Sequence, residues 1–107
     1  MICQEYEIAD HDRHAHGIAT IAHIDAYRIH DEEETETFGL HDLLEDTTVL
    51  TIIEWPDRIT HTLRDTTTID IDFEHISENA RNITISADTQ RFGDFFKRYA
   101  SRESNQA

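Results

Sequence analysis

IATIAHIDAYRI, residues 18–29, and VLTIIEW, residues 49–55, are the two apolar runs that decide the fold. Both show little alternation of apolar and polar residues, which is typical of strands covered on both faces in an α/β sheet. The first run carries Asp25 and the second carries Glu54. A carboxylate at the end of a buried strand is unfavourable unless a metal ion, a basic partner or backbone N–H groups compensate it. The two acids are therefore the first candidate functional residues.

A helical pattern fills residues 32–45 between the two runs and is interrupted at Gly39. Parallel strands need a crossover of this kind, so we expect Asp25 and Glu54 to lie close together at the carboxyl ends of adjacent or near-adjacent parallel strands. In open α/β sheets ligands bind at that edge. Mg²⁺ often takes one or two carboxylates together with phosphate oxygens and waters. The alternative is that the acids are exposed or paired with Arg28 or Arg58.

The remaining segments complete an α/β pattern. Residues 2–8 favour a strand, residues 9–17 a polar loop, and the whole of residues 2–29 a hairpin. Asp31 and Glu34 have the spacing of a capping box, and residues 56–63 favour a short helix that begins at Pro56. Residues 67–76 and 81–87 alternate and predict an antiparallel hairpin with one polar face. Aromatic residues at helical spacing predict a terminal helix that covers the chain's own core or docks a partner: Phe92, Phe95, Phe96 and Tyr99.

Composition limits the function classes. The 107 residues predict one domain, and a net charge of −14 makes direct nucleic-acid binding unfavourable. Cys3 is the only cysteine, which excludes an internal disulfide. The sequence has no apolar run of about eighteen residues, and its first ten residues do not resemble a signal peptide. We expect a soluble cytoplasmic protein.

Residues 11–16, HDRHAH, place three histidines together. Histidine is a common ligand of transition metals, but structural zinc sites usually need four ligands at set spacing. Metal binding and an ordinary solvated loop both remain open for this segment.

Three motifs resemble the bacterial TsaE family, ATPases of tRNA threonylcarbamoyladenosine (t6A) biosynthesis. HIDAYRI matches an H-x-D-x-Y-R strand, FGLHDLLED a G-L-x-x-x-L helix, and IIEWPDRI an I-E-W-P-x-R strand end, in the family's order. QEYEI and RNITISA are similar to flanking family strands, so the resemblance covers about residues 4–87. A C-terminal helix and tail would occupy residues 88–107, and we interpret 1–107 as a single partial TsaE-like domain.

The resemblance implies a P-loop-NTPase-like mixed sheet with flanking helices, ATP and Mg²⁺ as cofactors, and TsaD and TsaB-type proteins as partners. It implies that Asp25 is the Walker-B-like acid near Mg²⁺. Glu54 would be a metal ligand or would orient the attacking water. Trp55 would pack at the edge of the site, and Arg81 would reach the nucleotide.

The sequence departs from the family in its phosphate-binding loop. Such a loop needs G-x-x-x-x-G-K-S/T, whereas Gly17, Gly39 and Gly93 lie far apart and the only lysine is Lys97. We therefore expect the P-loop strand and helix to be missing and the chain to be inactive alone. It would be a fragment, one chain of a split protein that needs a separate P-loop half, or a degenerate module that docks TsaD/TsaB-type partners. In each case the strand that ends at Asp25 is expected to have an unpaired edge and an uncovered apolar face.

Overall fold

The computed structural model describes residues 2–87 and Gly93. Apart from Gly93, the predicted terminal helix lies outside the described residues. The described chain is mixed α/β, as predicted. Its contacts cluster in two compact units, Met1–Thr66 and Thr67–Ala107, which are described separately below. The single domain over residues 1–107 stays a prediction.

The first unit alternates short strands and helices. Its strands are β1 (Cys3–Glu7), β2 (Thr20–Asp25) and β3 (Val49–Glu54), and its α-helices are α1 (Asp10–His16), α2 (Leu40–Glu45) and α3 (Thr60–Leu63). Three 3-10 helices span Ala26–Arg28, Glu32–Phe38 and Pro56–Ile59. Among the described residues, no helix is both long enough and apolar enough to cross a membrane.

The three strands form a mixed sheet in the order β1-β2-β3. β1 pairs antiparallel with β2, which confirms the hairpin predicted over residues 2–29. β2 pairs parallel with β3, and the chain between them forms the Glu32–Phe38 helix and α2 on either side of Gly39. The predicted crossover and its interruption are therefore confirmed. Gly39 has φ +71°, a left-handed conformation that glycine adopts without strain.

The prediction of an unpaired sheet edge beside residues 18–29 was wrong. β2 is the central strand and is hydrogen-bonded on both sides, so the outer edges of the described sheet belong to β1 and β3. The prediction of a loop over residues 9–17 was also wrong, because Asp10–His16 forms α1. Asp10 and Asp12 lie in its first turn and Arg13 in its last, an order that the helix dipole favours, and Gly17 ends the helix with φ +76°.

The core lies on one face of this sheet. Ile24, Ile29, Leu40 and Ile59 are fully buried, and each buried aliphatic side chain of this size stabilises the fold by about 1.5–3 kcal/mol. Phe38, Leu44 and Ile53 pack against this cluster. The helices after β2 and β3 therefore cover the face that carries Ile24 and Ile53.

The opposite face of the sheet is exposed. Leu50 and Ile52 are 48% and 45% exposed, and Tyr6 is 48% exposed. The register places Tyr6, Ile21 and Leu50 in one row across the sheet. The prediction that both apolar runs are covered on both faces was thus wrong, whereas the uncovered apolar face that we expected is present among the described residues.

The second unit contains the predicted hairpin. β4 (Ile69–Ser77) pairs antiparallel with β5 (Ala80–Ala87) and turns at Glu78 and Asn79. Both of its faces are largely exposed among the described residues, including the apolar one that carries Phe73.

Candidate functional site

Asp25 and Glu54 occupy paired positions at the ends of two neighbouring strands. They are the last residues of β2 and β3 and are partners in the parallel register. Adjacent strands lie about 4.8 Å apart, so both carboxylates reach the same edge and the same face of the sheet. The predicted proximity of the two acids is confirmed.

Asp25 is held by the residues that directly follow it. Its Oδ1 accepts a hydrogen bond from the Tyr27 backbone N–H at 3.2 Å, and its Oδ2 lies 3.2 Å from Arg28 Nε. The Asp25 side chain is 28% exposed. The charge at the end of β2 is therefore compensated by a basic partner and by backbone, which are two of the three compensators that the sequence allowed.

Glu54 contacts a histidine on the neighbouring strand. His23 Nε2 lies 3.3 Å from Glu54 Oε2. His23 precedes Asp25 by two positions and therefore shares its face of β2. The imidazole of His23 thus contacts a carboxylate of the neighbouring strand. It orients Glu54 across the strand boundary towards the side of Asp25.

An aromatic pair flanks the two acids. Trp55 directly follows Glu54 and is 61% exposed, and its ring centroid lies 5.6 Å from that of Tyr27 with the planes tilted by 54°. Arg58 stacks over the Tyr27 ring at 5.1 Å and donates to the Ile29 carbonyl at 3.3 Å. Trp55 thus directly follows the acid pair in the chain and contacts Tyr27. Its part in nucleotide binding stays a prediction.

Comparison with protein families decides the identity. The profile of the family described as "Threonylcarbamoyl adenosine biosynthesis protein TsaE" matches residues 1–83. The chain belongs to the TsaE family. Membership implies a role in the t6A modification of tRNA, alongside other proteins of that biosynthesis. A search of curated proteins found no match.

The TsaE family is an ATPase family, which makes ATP and Mg²⁺ plausible cofactors. The described residues match the needs of these two cofactors only in part. Asp25 and Glu54 supply two neighbouring carboxylates, which are suitable Mg²⁺ ligands. No group of three or more potential metal-ligating residues occurs in the described part of the chain. Gly17 and Gly39 end helices rather than line a phosphate cradle. The described residues therefore contain two neighbouring carboxylates that suit Mg²⁺ and contain no phosphate-binding loop.

Arg81 lies on β5 in the second unit of this TsaE chain. Its Nη1 donates to the carbonyls of Ser77 and Ala80, both at 2.8 Å. The guanidinium thus stabilises the hairpin's own turn. Nucleotide binding by Arg81 stays a prediction.

The histidine segment lies on α1, where His16 Nδ1 accepts from the Ile18 N–H at 3.0 Å. His11 contacts Asp12 at 3.4 Å, and the two side chains are largely exposed. These contacts are local. They bring no further ligand to the segment.

The pairing of Asp25 with Arg28, which the sequence left open as an alternative, is present. Sequence reasoning under-used two other residues of the site, because the H-x-D-x-Y-R motif does not reveal that Tyr27 contacts Trp55. The signal for His23 was its position two residues before Asp25, which in a strand means the same face.

Proposed function

We propose that this TsaE-family chain supplies the acidic half of a composite ATPase site that serves t6A modification of tRNA. The observation that carries the proposal is the parallel register that pairs Asp25 with Glu54 at the carboxyl edge of the sheet. Ligands of α/β sheets bind at this edge, and two carboxylates there suit a metal-bound phosphate.

Each residue of the site has a distinct part in this proposal. Asp25 is the Walker-B-like acid, held in a fixed rotamer by Tyr27 N–H and Arg28. Glu54, oriented by His23, is a metal ligand or accepts a hydrogen bond from the attacking water. Mg²⁺, when bound with ATP, would neutralise charge on the phosphate oxygens. Trp55 and Tyr27 would limit the access of water to the acids.

The phosphate cradle must come from another polypeptide segment in this proposal, in cis or as a second chain. The exposed sheet face offers a place for it, because Ile52 and Glu54 lie two residues apart on the same face of β3. An element that covers Leu50 and Ile52 would therefore lie beside the carboxylates. Partners of the TsaD and TsaB type would then bind the completed site.

Reconstitution tests the proposal. A P-loop half from a TsaE-family member is joined to this chain or supplied as a second chain, and ATP hydrolysis is measured. We expect hydrolysis only in the combination, and loss of it in Asp25→Asn and in Glu54→Gln. Glu7→Gln is the matched control, since Glu7 is an exposed acid of the same sheet at its opposite end. Activity that is indifferent to both site substitutions would overturn the shared acidic site.

The chain alone should not bind ATP tightly, because most phosphate contacts in P-loop sites come from the missing loop. Calorimetric titration with ATP and Mg²⁺ measures this directly. Saturable binding at micromolar ATP would show that other residues of this chain hold the phosphates.

A second candidate is a binding module that docks TsaD/TsaB-type partners without hydrolysing ATP. It is favoured by the fact that this chain's own Arg28 and His23 already pair with the two carboxylates. Its signature would be partner binding, measured by calorimetry, that persists in Asp25→Asn and Glu54→Gln while the reconstituted combination remains inactive.

A further inference from the structure

Arg58 contacts the two segments that follow the acidic strand ends. It lies in the 3-10 helix after β3, and its Nη1 donates to the Ile29 carbonyl at 3.3 Å, in the segment after β2. Its guanidinium carbon also lies 5.1 Å from the centre of the Tyr27 ring. One side chain therefore joins the chain that follows Asp25 to the chain that follows Glu54.

The backbone that carries Arg58 is fixed by the core of the first unit. Ile29 and Ile59 are buried in the same apolar cluster. A second hydrogen bond joins the same two segments, from the His61 N–H to Glu32 Oε1 at 3.2 Å. The guanidinium therefore extends from a fixed backbone, and its hydrogen bond to Ile29 limits the rotamers that it can adopt.

The aromatic pair beside the acids is not fixed by burial. Trp55 is 61% exposed and Tyr27 is 57% exposed. Trp55 also has φ +57°, a backbone conformation that is unfavourable for a bulky residue. The contact between the two rings, 5.6 Å between centroids, holds them to each other without holding either of them to the core. Arg58 supplies that attachment, because it contacts both the Tyr27 ring and the backbone of the buried Ile29.

A cation over a tyrosine ring is a favourable contact even at the protein surface. At exposed sites it favours the stacked arrangement by about two- to fivefold over arrangements that lack it. The arginine guanidinium is planar and weakly hydrated, so it can stack on a ring while it donates a hydrogen bond elsewhere. The backbone N–H of Tyr27 donates to Asp25 Oδ1 at 3.2 Å. A contact that fixes Tyr27 therefore also helps to fix the Asp25 carboxylate.

We propose that Arg58 is a positioning residue, which fixes Tyr27 and, through Tyr27, both Trp55 and the carboxylate of Asp25. Arg58 acts through the Tyr27 ring and the Ile29 carbonyl rather than by binding an acid itself. Its importance for ATP hydrolysis rests on the proposed function of the acidic edge. Its effect on the aromatic pair does not, and can be measured in this chain alone.

Near-ultraviolet circular dichroism of the full chain tests the proposal. Trp55 is the only tryptophan, so the long-wavelength band, to which tyrosine does not contribute, reports how rigidly its indole is held. Arg58→Ala and Arg58→Gln should each lower this band by roughly a third or more, because the stacked arrangement loses its cation. Glutamine keeps an N–H donor for the Ile29 carbonyl, so the Arg58→Gln variant isolates the contact with the Tyr27 ring.

Arg64→Ala is the matched control. It removes the same charge from the same unit, but Arg64 contacts His61 and not the aromatic pair. The tryptophan band should therefore be the same in this variant as in the wild type. A fall as large as that in Arg58→Ala would mean that the loss of any positive charge is sufficient, and would contradict a specific role for Arg58.

A double-mutant cycle shows whether Arg58 acts through Tyr27. Tyr27→Leu should lower the tryptophan band to a similar extent, and Arg58→Ala in that background should lower it no further. Additive losses, or an unchanged band in both Arg58 variants, would overturn the proposal.

Hydrogen exchange of the β2 amides shows whether the first unit is folded in each variant. If Arg58→Ala does not fold, Arg58→Gln gives the answer, and loss of the fold in both would make Arg58 a structural residue and overturn the proposal. The optical test uses no ATP and no second chain. A reconstituted combination without hydrolysis would therefore count against the proposed ATPase function and leave this result unchanged.

Discussion

At the residue scale, the acids at the strand ends are explained by their immediate neighbours. Asp25 is followed within three positions by the N–H and the guanidinium that hold it, so the motif D-A-Y-R contains both the charge and its compensation. The sequence predicted that compensation would be needed but left open which kind. The choice depends on the turn of the Ala26–Arg28 helix, which brings Arg28 back to Asp25.

Trp55 is a second residue whose setting could not be read from sequence. It has φ +57°, the only positive φ of a non-glycine residue in the described chain. A bulky side chain rarely adopts this left-handed conformation, which costs about 1–2 kcal/mol. Strain of this kind persists where the surroundings fix it, and here the Tyr27 ring lies 5.6 Å from the Trp55 ring.

Asp46 makes stability depend on pH in a way that can be measured. The Thr48 hydroxyl donates to its Oδ1 at 2.7 Å and the Thr48 N–H at 2.9 Å, and these bonds hold the pKa of Asp46 below its usual 3.8. A lowered pKa means that the ionised carboxylate stabilises the fold above about pH 3.8 and that this contribution is lost as the pH falls through the folded-state pKa.

We therefore expect wild type to be more stable than Asp46→Asn at pH 6, and the difference to close below pH 3.8. Urea unfolding at a series of pH values measures it. The control is the same substitution in a Thr48→Ala background, which lacks the hydroxyl bond and should show a smaller pH-dependent difference. A difference that is constant from pH 6 to pH 3 would contradict the prediction.

At the element scale, the spacing of apolar residues and the turn residues predicted more of the secondary structure than the charge patterns did. The strands, the crossover interrupted at Gly39 and the Asp25–Glu54 register follow from apolar runs separated by a helical segment. α1 was missed because its sequence, DHDRHAH, has no apolar stripe to reveal a helix. The central position of β2 was missed because the order of strands in a sheet depends on which edges pair, and no residue pattern within a single strand records that choice.

The start of the Glu32–Phe38 helix was predicted from a capping box and provides a test at this scale. Asp31 Oδ1 accepts from the Glu33 N–H at 3.0 Å, and Glu34 Oε1 accepts from the Asp31 N–H at 3.2 Å. Asp31→Ala should lower the free energy of unfolding by about 1 kcal/mol, because N–H groups at the start of the helix lose their acceptor. Glu33→Ala is the matched control, since Glu33 contributes only its backbone to the cap. Chemical denaturation compares the two, and equal losses would mean that the cap contributes nothing specific.

At the scale of the whole molecule, the net charge and the exposed apolar face have opposite effects on association between copies of the chain. A net charge of −14 keeps copies of the chain apart, whereas the sheet face with Tyr6, Leu50 and Ile52 favours burial against another surface. The sequence could predict the charge and the apolar runs. It could not predict which face of each strand would be left uncovered, because that depends on where the helices after β2 and β3 pack.

The salt concentration should determine whether charge repulsion or burial of the apolar face dominates. The screening length falls from about 10 Å at 0.1 M salt to about 3 Å at 1 M, so repulsion between copies weakens while burial of the apolar face remains favourable. We expect the isolated chain to self-associate with rising protein concentration, and more strongly at 1 M than at 0.1 M NaCl, as measured by multi-angle light scattering.

The double variant Leu50→Thr/Ile52→Thr locates the association. Threonine is β-branched and therefore suits β3, but it removes most of the exposed apolar area, so this variant should remain monomeric at concentrations where the wild type associates. Gln4→Thr, a polar position on the same sheet, is the matched control and should behave like wild type. If the double variant associates as the wild type does, the contact lies on another surface. We expect association because Leu50 and Ile52 are exposed to water in the isolated chain. A wild-type chain that stays monomeric at every protein and salt concentration would therefore show that the exposed face does not drive association.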